Sequence, residues 1–197
     1  MFNHVEGKLV EKNPTHAIID CSGVGYLLNI SLYTFSKIGD SEKCKILVHL
    51  SVKEDSLTLY GFADEDERKI FRQLISVSGI GENTARMMLS SMNPGEIRQA
   101  ILTGNVGVLQ TIKGIGNKTA QRVILDLRDK MGKQDPGMLL SGKSFSAPDK
   151  IKEQALSALL TLGFNRQNVE KVLGNILQSA TKEISVEELI KAALNQL

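Results

Sequence analysis

The residues best suited to chemistry form a phrase that the chain states twice. Ser78-Gly79-Ile80-Gly81-Glu82-Asn83-Thr84-Ala85-Arg86 is echoed 35 positions later by Lys113-Gly114-Ile115-Gly116-Asn117-Lys118-Thr119-Ala120-Gln121. An internal repeat of this kind organises the rest of the reading. Glycine takes positive φ cheaply and lets a backbone approach another molecule closely. Each phrase opens an apolar, helix-like run, so its amides lie at a helix N-terminus, where unpaired N–H donors and the positive dipole end favour an anion such as phosphate. Lys118 and Arg122 can add charge-assisted contacts, and small Ala85 and Ala120 allow close helix packing.

Helix-like runs also precede the glycines (Ile70 to Val77; Val106 to Ile112), so each unit reads as helix, tight turn, helix. A dinucleotide-binding fingerprint needs a preceding strand and a third glycine, a position held here by Thr84 and Thr119. The repeated unit resembles the helix-hairpin-helix motif of proteins that bind nucleic-acid backbones without reading sequence.

Composition bounds the remainder. The 197 residues suffice for several small domains, 42% hydrophobic content permits real cores, and 5% aromatics without Trp argue against a stacking platform for single-stranded bases. A net charge of +2 decides little, but it is unevenly placed: residues 64–133 hold eleven Lys and Arg against eight Asp and Glu, and four of those acids sit in Asp64-Glu65-Asp66-Glu67. Cys21 and Cys44 lack metal-ligand spacing, and no secretory leader or long apolar span is present, so a cytoplasmic chain with reduced thiols, no metal and no cofactor is expected. No Ser/His/Asp arrangement and no Gly-x-x-x-x-Gly-Lys loop appears.

The elements that position the repeats follow. Residues 1–63 read as five short strands (Phe2 to Val10, His16 to Asp20, Tyr26 to Ile30, Lys45 to Ser51, Ser56 to Tyr60), which suggests a small closed barrel of the OB type. Lys53-Glu54-Asp55 falls at a hairpin tip, readable as a solvated turn or as an acidic separator that repels phosphates. A two-metal nuclease would need further carboxylates at suitable spacing. Residues 64–133 hold the tandem repeat, with Asp64 as a helix cap and Asn93-Pro94-Gly95-Glu96 opening a short intervening helix. Residues 134–148, rich in Gly, Ser and Pro, read as a flexible linker. Residues 149–197 read as three amphipathic helices with a capping box from Ser185 to Glu188. The opening of that segment (Ala155, Leu156, Leu159, Leu162, Gly163, Phe164) resembles ubiquitin-associated-type domains, which bind proteins. The fold class expected is therefore α+β and multidomain.

A barrel, paired hairpin units, a linker and a tethered three-helix domain, in this order, resemble the RuvA family of Holliday-junction-binding subunits. The most specific stretches are Val48-His49-Leu50-Ser51-Val52-Lys53-Glu54-Asp55 with Leu59-Tyr60-Gly61-Phe62, and Ile112 to Ala120. The resemblance implies a homotetramer, singly or as two tetramers sandwiching the DNA, that holds a four-way junction open during recombination and repair. It implies that Glu54 and Asp55 are acidic pins. It assigns DNA contacts to Gly79, Ile80, Gly81, Asn83, Thr84 and Arg86, and to Gly114, Ile115, Gly116, Lys118, Thr119 and Arg122. It implies a non-catalytic subunit whose partners are a RuvB-type hexameric ATPase and a RuvC-type resolvase, with Leu156, Leu159, Leu160, Leu162 and Phe164 expected to face the motor. The chain departs from the family pattern at Glu82-Asn83, where a basic residue is common, and Arg86 is expected to compensate. The alternative left open is a non-motor DNA-repair scaffold or a nuclease subunit.

Overall fold

The computed structural model describes residues 2–39, 42–134, 147–179 and 185–196. They fall into two compact units, Met1–Pro136 and Gly137–Leu197.

The first unit begins with five strands: β1 (His4–Lys12), β2 (His16–Cys21), β3 (Val24–Ile30), β4 (Lys43–Val52) and β5 (Leu57–Phe62). They close in the order β1-β2-β3-β5-β4, with β3 and β5 parallel and the other neighbours antiparallel. Alternation puts Val5, Ala17, Ile19, Leu28, Ile30, Ile46 and Val48 inside the barrel. The β2–β3 turn places both Ser22 (φ +57°) and Gly23 (φ +93°) in the left-handed region, the conformation that matches the twist of a two-residue hairpin.

Between β3 and β4 lies a helix that the strand-by-strand reading passes over, α1 (Leu32–Lys37). Six residues cannot sustain a helix by themselves. Ser31 caps it by accepting from the Thr34 amide, and both Ser31 and Thr34 donate hydroxyl hydrogen bonds to Glu67, a fully buried carboxylate from the next helix. That helix, α2 (Glu65–Ile75), has Asp64 as its N-cap, accepting from the Glu67 amide at 2.8 Å. Glu67 also accepts from the Ala63 amide at 3.0 Å. One member of the acidic first turn thus turns inward and joins barrel to helices.

α3 (Glu82–Ser91), α4 (Pro94–Leu102), α5 (Val106–Gln110) and α6 (Asn117–Gln134) complete the unit. α4 starts where expected, and with a capping box, Asn93 and Glu96 each bonding the other's backbone. The helices share a core that includes Phe71, Leu74, Met88, Leu89, Ile97, Ile101, Leu109, Val123 and Leu127, and this core continues onto the barrel through Tyr60 and Phe62. Phe71 is the hinge of that continuity, its ring lying 4.9 Å from Phe62, 5.2 Å from Tyr60 and 5.5 Å from His49. Buried Arg68 reinforces the join, donating to the Asn3 carbonyl and side chain at 2.8 Å. The reading of separate domains over 1–63 and 64–133 therefore meets a structure in which the two halves share apolar and polar contacts.

The second unit holds α7 (Ala147–Thr161), α8 (Arg166–Ser179) and α9 (Val186–Leu194), packed around Ala155, Leu159, Val169, Leu173, Ile176, Leu189 and Ala193. Gly163 (φ +94°) ends the first of these helices, and the Ser185–Glu188 capping box opens the last. Of the linker read over 134–148, residues 135–146 lie outside the described residues, while Gln134 ends α6 and Ala147 begins α7. Among the described residues no helix is long and apolar enough to cross a membrane.

Candidate nucleic-acid interface

The two glycine phrases have the same backbone. In the first, the Ile80 amide donates to the Val77 carbonyl at 3.0 Å and the Ala85 amide to the Gly81 carbonyl at 2.9 Å. In the second, the Ile115 amide donates to the Ile112 carbonyl at 3.0 Å and the Ala120 amide to the Gly116 carbonyl at 2.9 Å. Gly79 and Gly114 both sit at φ +92°, where a side chain would be strained. The Ile80 and Ile115 side chains are buried, at 5% and 4% exposure, and staple each loop to the helical core. Their side chains belong to the core, so a part for these isoleucines in binding would fall to the loop backbone.

The second glycine of each phrase is different. Gly81 lies in the ordinary extended region and caps α3 without a side-chain hydrogen bond. A Cβ added at Gly81 or at Gly116 would meet nothing within 4 Å. The fold does not need glycine at these positions, whereas a second molecule approaching the first-turn amides would.

Around the loops, Asn83, Lys118 and Arg122 are exposed and Thr84 and Thr119 partly so. Arg122 donates to the Ser78 carbonyl at 3.3 Å, which brings the helix of the second hairpin against the loop of the first. Arg86 donates to the Thr15 carbonyl at 2.9 Å, so one of its N–H groups joins the helix to the β1–β2 turn of the barrel.

The acidic tip stands at the end of the β4–β5 hairpin. Val52 pairs with Leu57, the Lys53 amide donates to the Ser56 carbonyl at 2.9 Å, and Glu54 and Asp55 are exposed between them. At its base Glu82 makes a contact that sequence reading missed. One carboxylate oxygen accepts from the Ser51 hydroxyl at 2.7 Å and the other from the Lys53 ammonium at 3.2 Å. The Ser51 hydrogen bond, with help from its own backbone amide and from Lys53, holds the Glu82 carboxyl below the usual carboxylate range. The residue that reads as a lost basic contact is thus engaged with the barrel. Its acidic type opposite a lysine was the available signal, hidden by a separation of 29 residues.

Among the described residues no three His, Cys, Asp or Glu gather in a group that could hold a metal. In the second unit, Leu162 is 62% exposed, and Leu156, Leu160 and Phe164 are partly buried. Leu159 is fully buried in the three-helix core, which corrects its placement among partner-facing residues.

Comparison with known proteins accords with this geometry. Residues 1–61 match the model of the RuvA N terminal domain, 71–129 that of the SAM-like helix-hairpin-helix tandem, and 150–197 that of the RuvA C-terminal domain. Curated relatives named Holliday junction branch migration complex subunit RuvA align over 100% of both chains, at 54% identity in Christiangramia forsetii, 50% in Flavobacterium psychrophilum and 47% in Bacteroides thetaiotaomicron. Matched along its whole length, with a barrel and twin hairpins where the family models fall, the chain belongs to the RuvA family.

Proposed function

We propose that this protein binds four-way DNA junctions without reading their sequence and serves as a non-catalytic subunit of a branch-migration complex in the cytoplasm. The observation that carries the reading is the pair of hairpins with one backbone conformation, each ending in a glycine that the fold itself does not require. Each offers first-turn amides to a phosphate, and Lys118 and Arg122 supply charge beside them. In this reading residues 1–63 carry the pin, 64–133 the DNA contacts, 134–148 a spacer, and 149–197 the docking site for a RuvB-type ATPase through exposed Leu162 and its neighbours Leu156, Leu160 and Phe164.

A single pair of backbone contacts is weak. Assembly as a homotetramer multiplies it through effective concentration, and only a DNA with four arms engages every subunit. Glu54 and Asp55 then stand near the crossover, where their charge keeps phosphates apart and strands separated. The test is a gel-shift titration of a four-way junction and of duplex built from the same sequences, at several salt concentrations. Junction binding should be far tighter and should fall steeply with salt, by about 0.9 log units per log unit of salt for each phosphate neutralised. Equal affinity for junction and duplex would refute the proposal.

A further inference from the structure

We infer that Glu82 is a positioning residue, whose carboxylate fixes where the acidic tip Glu54-Asp55 stands relative to the backbone amides of the first hairpin. The inference rests on the junction-binding reading and adds to it the device that sets pin against hairpin.

The β4–β5 stem needs such a device. Val52 and Leu57, its last paired residues, are 68% and 73% exposed, so the tip extends past the apolar contacts that hold the barrel. A two-stranded ribbon without a packed face is only marginally ordered in water. Two side-chain hydrogen bonds tie residues 51–57 to the helices through one acceptor, Glu82.

The placement of that carboxylate suits the role. Lys53 is adjacent to Glu54, and Glu82 is adjacent to Gly81, so one side chain connects the residue before the pin to the residue after the hairpin glycine. Its two oxygens take two different donors, Ser51 at 2.7 Å and Lys53 at 3.2 Å, and a two-point contact sets direction as well as distance. Ser51 is itself nearly buried, at 7% exposure, and Glu82 begins α3, which is anchored by Ala85, Met88 and Leu89 in the helical core. Glu82 and Ser51 are thus anchored at the base of the stem, and the exposed Lys53 beyond them is what the second oxygen holds. The lysine also offsets the negative charge that Glu82 would otherwise present to a phosphate at this loop.

The experiment compares the parent protein with Glu82→Ala and with the charge swap Lys53→Glu/Glu82→Lys. Amide hydrogen exchange is followed by mass spectrometry, and junction and duplex affinities are measured in parallel. With Glu82→Ala, amides of residues 51–57 should exchange about tenfold faster while those around Ile19 and Ile46 keep their rates, the pattern of a local rather than a global opening. Duplex affinity should hold or rise, and the preference for junction over duplex should fall several-fold. The charge swap should recover much of the protection and of the preference. Unchanged exchange at the tip, or equal acceleration throughout the barrel, would overturn the inference. If the parent itself showed no preference for junctions, the functional reading would fail, and the exchange pattern would still decide whether Glu82 holds the tip.

Discussion

Gly79 and Gly114, 35 residues apart, hold the same left-handed φ of +92°, and each is followed two residues later by a glycine in open space. Two roles that sequence cannot separate are thereby separated. The first glycine of each pair satisfies the turn through its positive φ, and the second, which the turn does not require, is the one that the proposed function assigns to the approach of DNA.

That division predicts different phenotypes. Gly81→Ala with Gly116→Ala should fold normally, because neither Cβ meets a neighbour within 4 Å. Junction binding should nonetheless weaken by tenfold or more on gel shift, since the added methyls stand where the phosphate backbone approaches. Gly79→Ala with Gly114→Ala should instead cost stability, about 1 to 3 kcal/mol per site for a side chain forced to positive φ, visible as a lowered denaturant midpoint. Full junction affinity in the first variant would remove the hairpins from the interface.

At the tip, Glu54→Gln with Asp55→Asn should keep or tighten duplex binding, because negative charge near phosphates is removed. Discrimination between junction and duplex should decline at the same time. Weaker binding to both DNAs would mean that these carboxylates are ordinary contacts and not separators.

Glu67 offers a test of the joint between barrel and helices. Burial pushes its carboxyl above the usual value of 4.5, against the opposing pull of Ser31, Thr34 and the Ala63 amide. The folded chain therefore takes up this proton more readily than the unfolded chain. The contribution is favourable below 4.5 and is lost as pH rises through the raised folded value. Glu67→Gln should flatten that part of the stability profile. Glu67→Ala should cost about 3 kcal/mol, because several buried donors lose their acceptor. Denaturant titrations across pH would measure both effects.

Glu82 has the opposite sign. Its carboxyl is held below 4.5, so the stability it contributes is present above that value and is lost as pH falls through the lowered folded value. Glu82→Gln should abolish this acid-side dependence while leaving the profile above 4.5 parallel to that of the parent.

A chain ending at Gln134 retains every described residue of the first unit, including both hairpins and the tip. It should assemble, bind junctions and fail to stimulate a RuvB-type ATPase. Light-scattering mass, gel shift and ATPase rate decide the matter, and full stimulation without residues 149–197 would refute the docking role.

Local signals made much of this protein legible in advance. The repeated glycine phrase, the five short strands, the helix start at Asn93, the Ser185 capping box and the Asp64 cap are all set by neighbours within a few residues, and the structure has each of them. What the tertiary structure decided depends on partners far apart in the chain. α1 is too short to declare itself and exists because Ser31 and Thr34 reach Glu67, 36 and 33 residues away. Ile80 and Ile115 look like loop-tip residues in a linear reading, yet they are drawn inward because a core formed by five helices, α2 to α6, lies beneath them. Leu159 lies on a helix whose apolar positions look alike in sequence, and only the placement of α8 and α9 buries it while leaving Leu162 exposed. Glu82 reads as a misplaced acid until folding brings Ser51 and Lys53 to it, because hydrogen bonds and ion pairs act at about 3 Å whatever the distance along the chain.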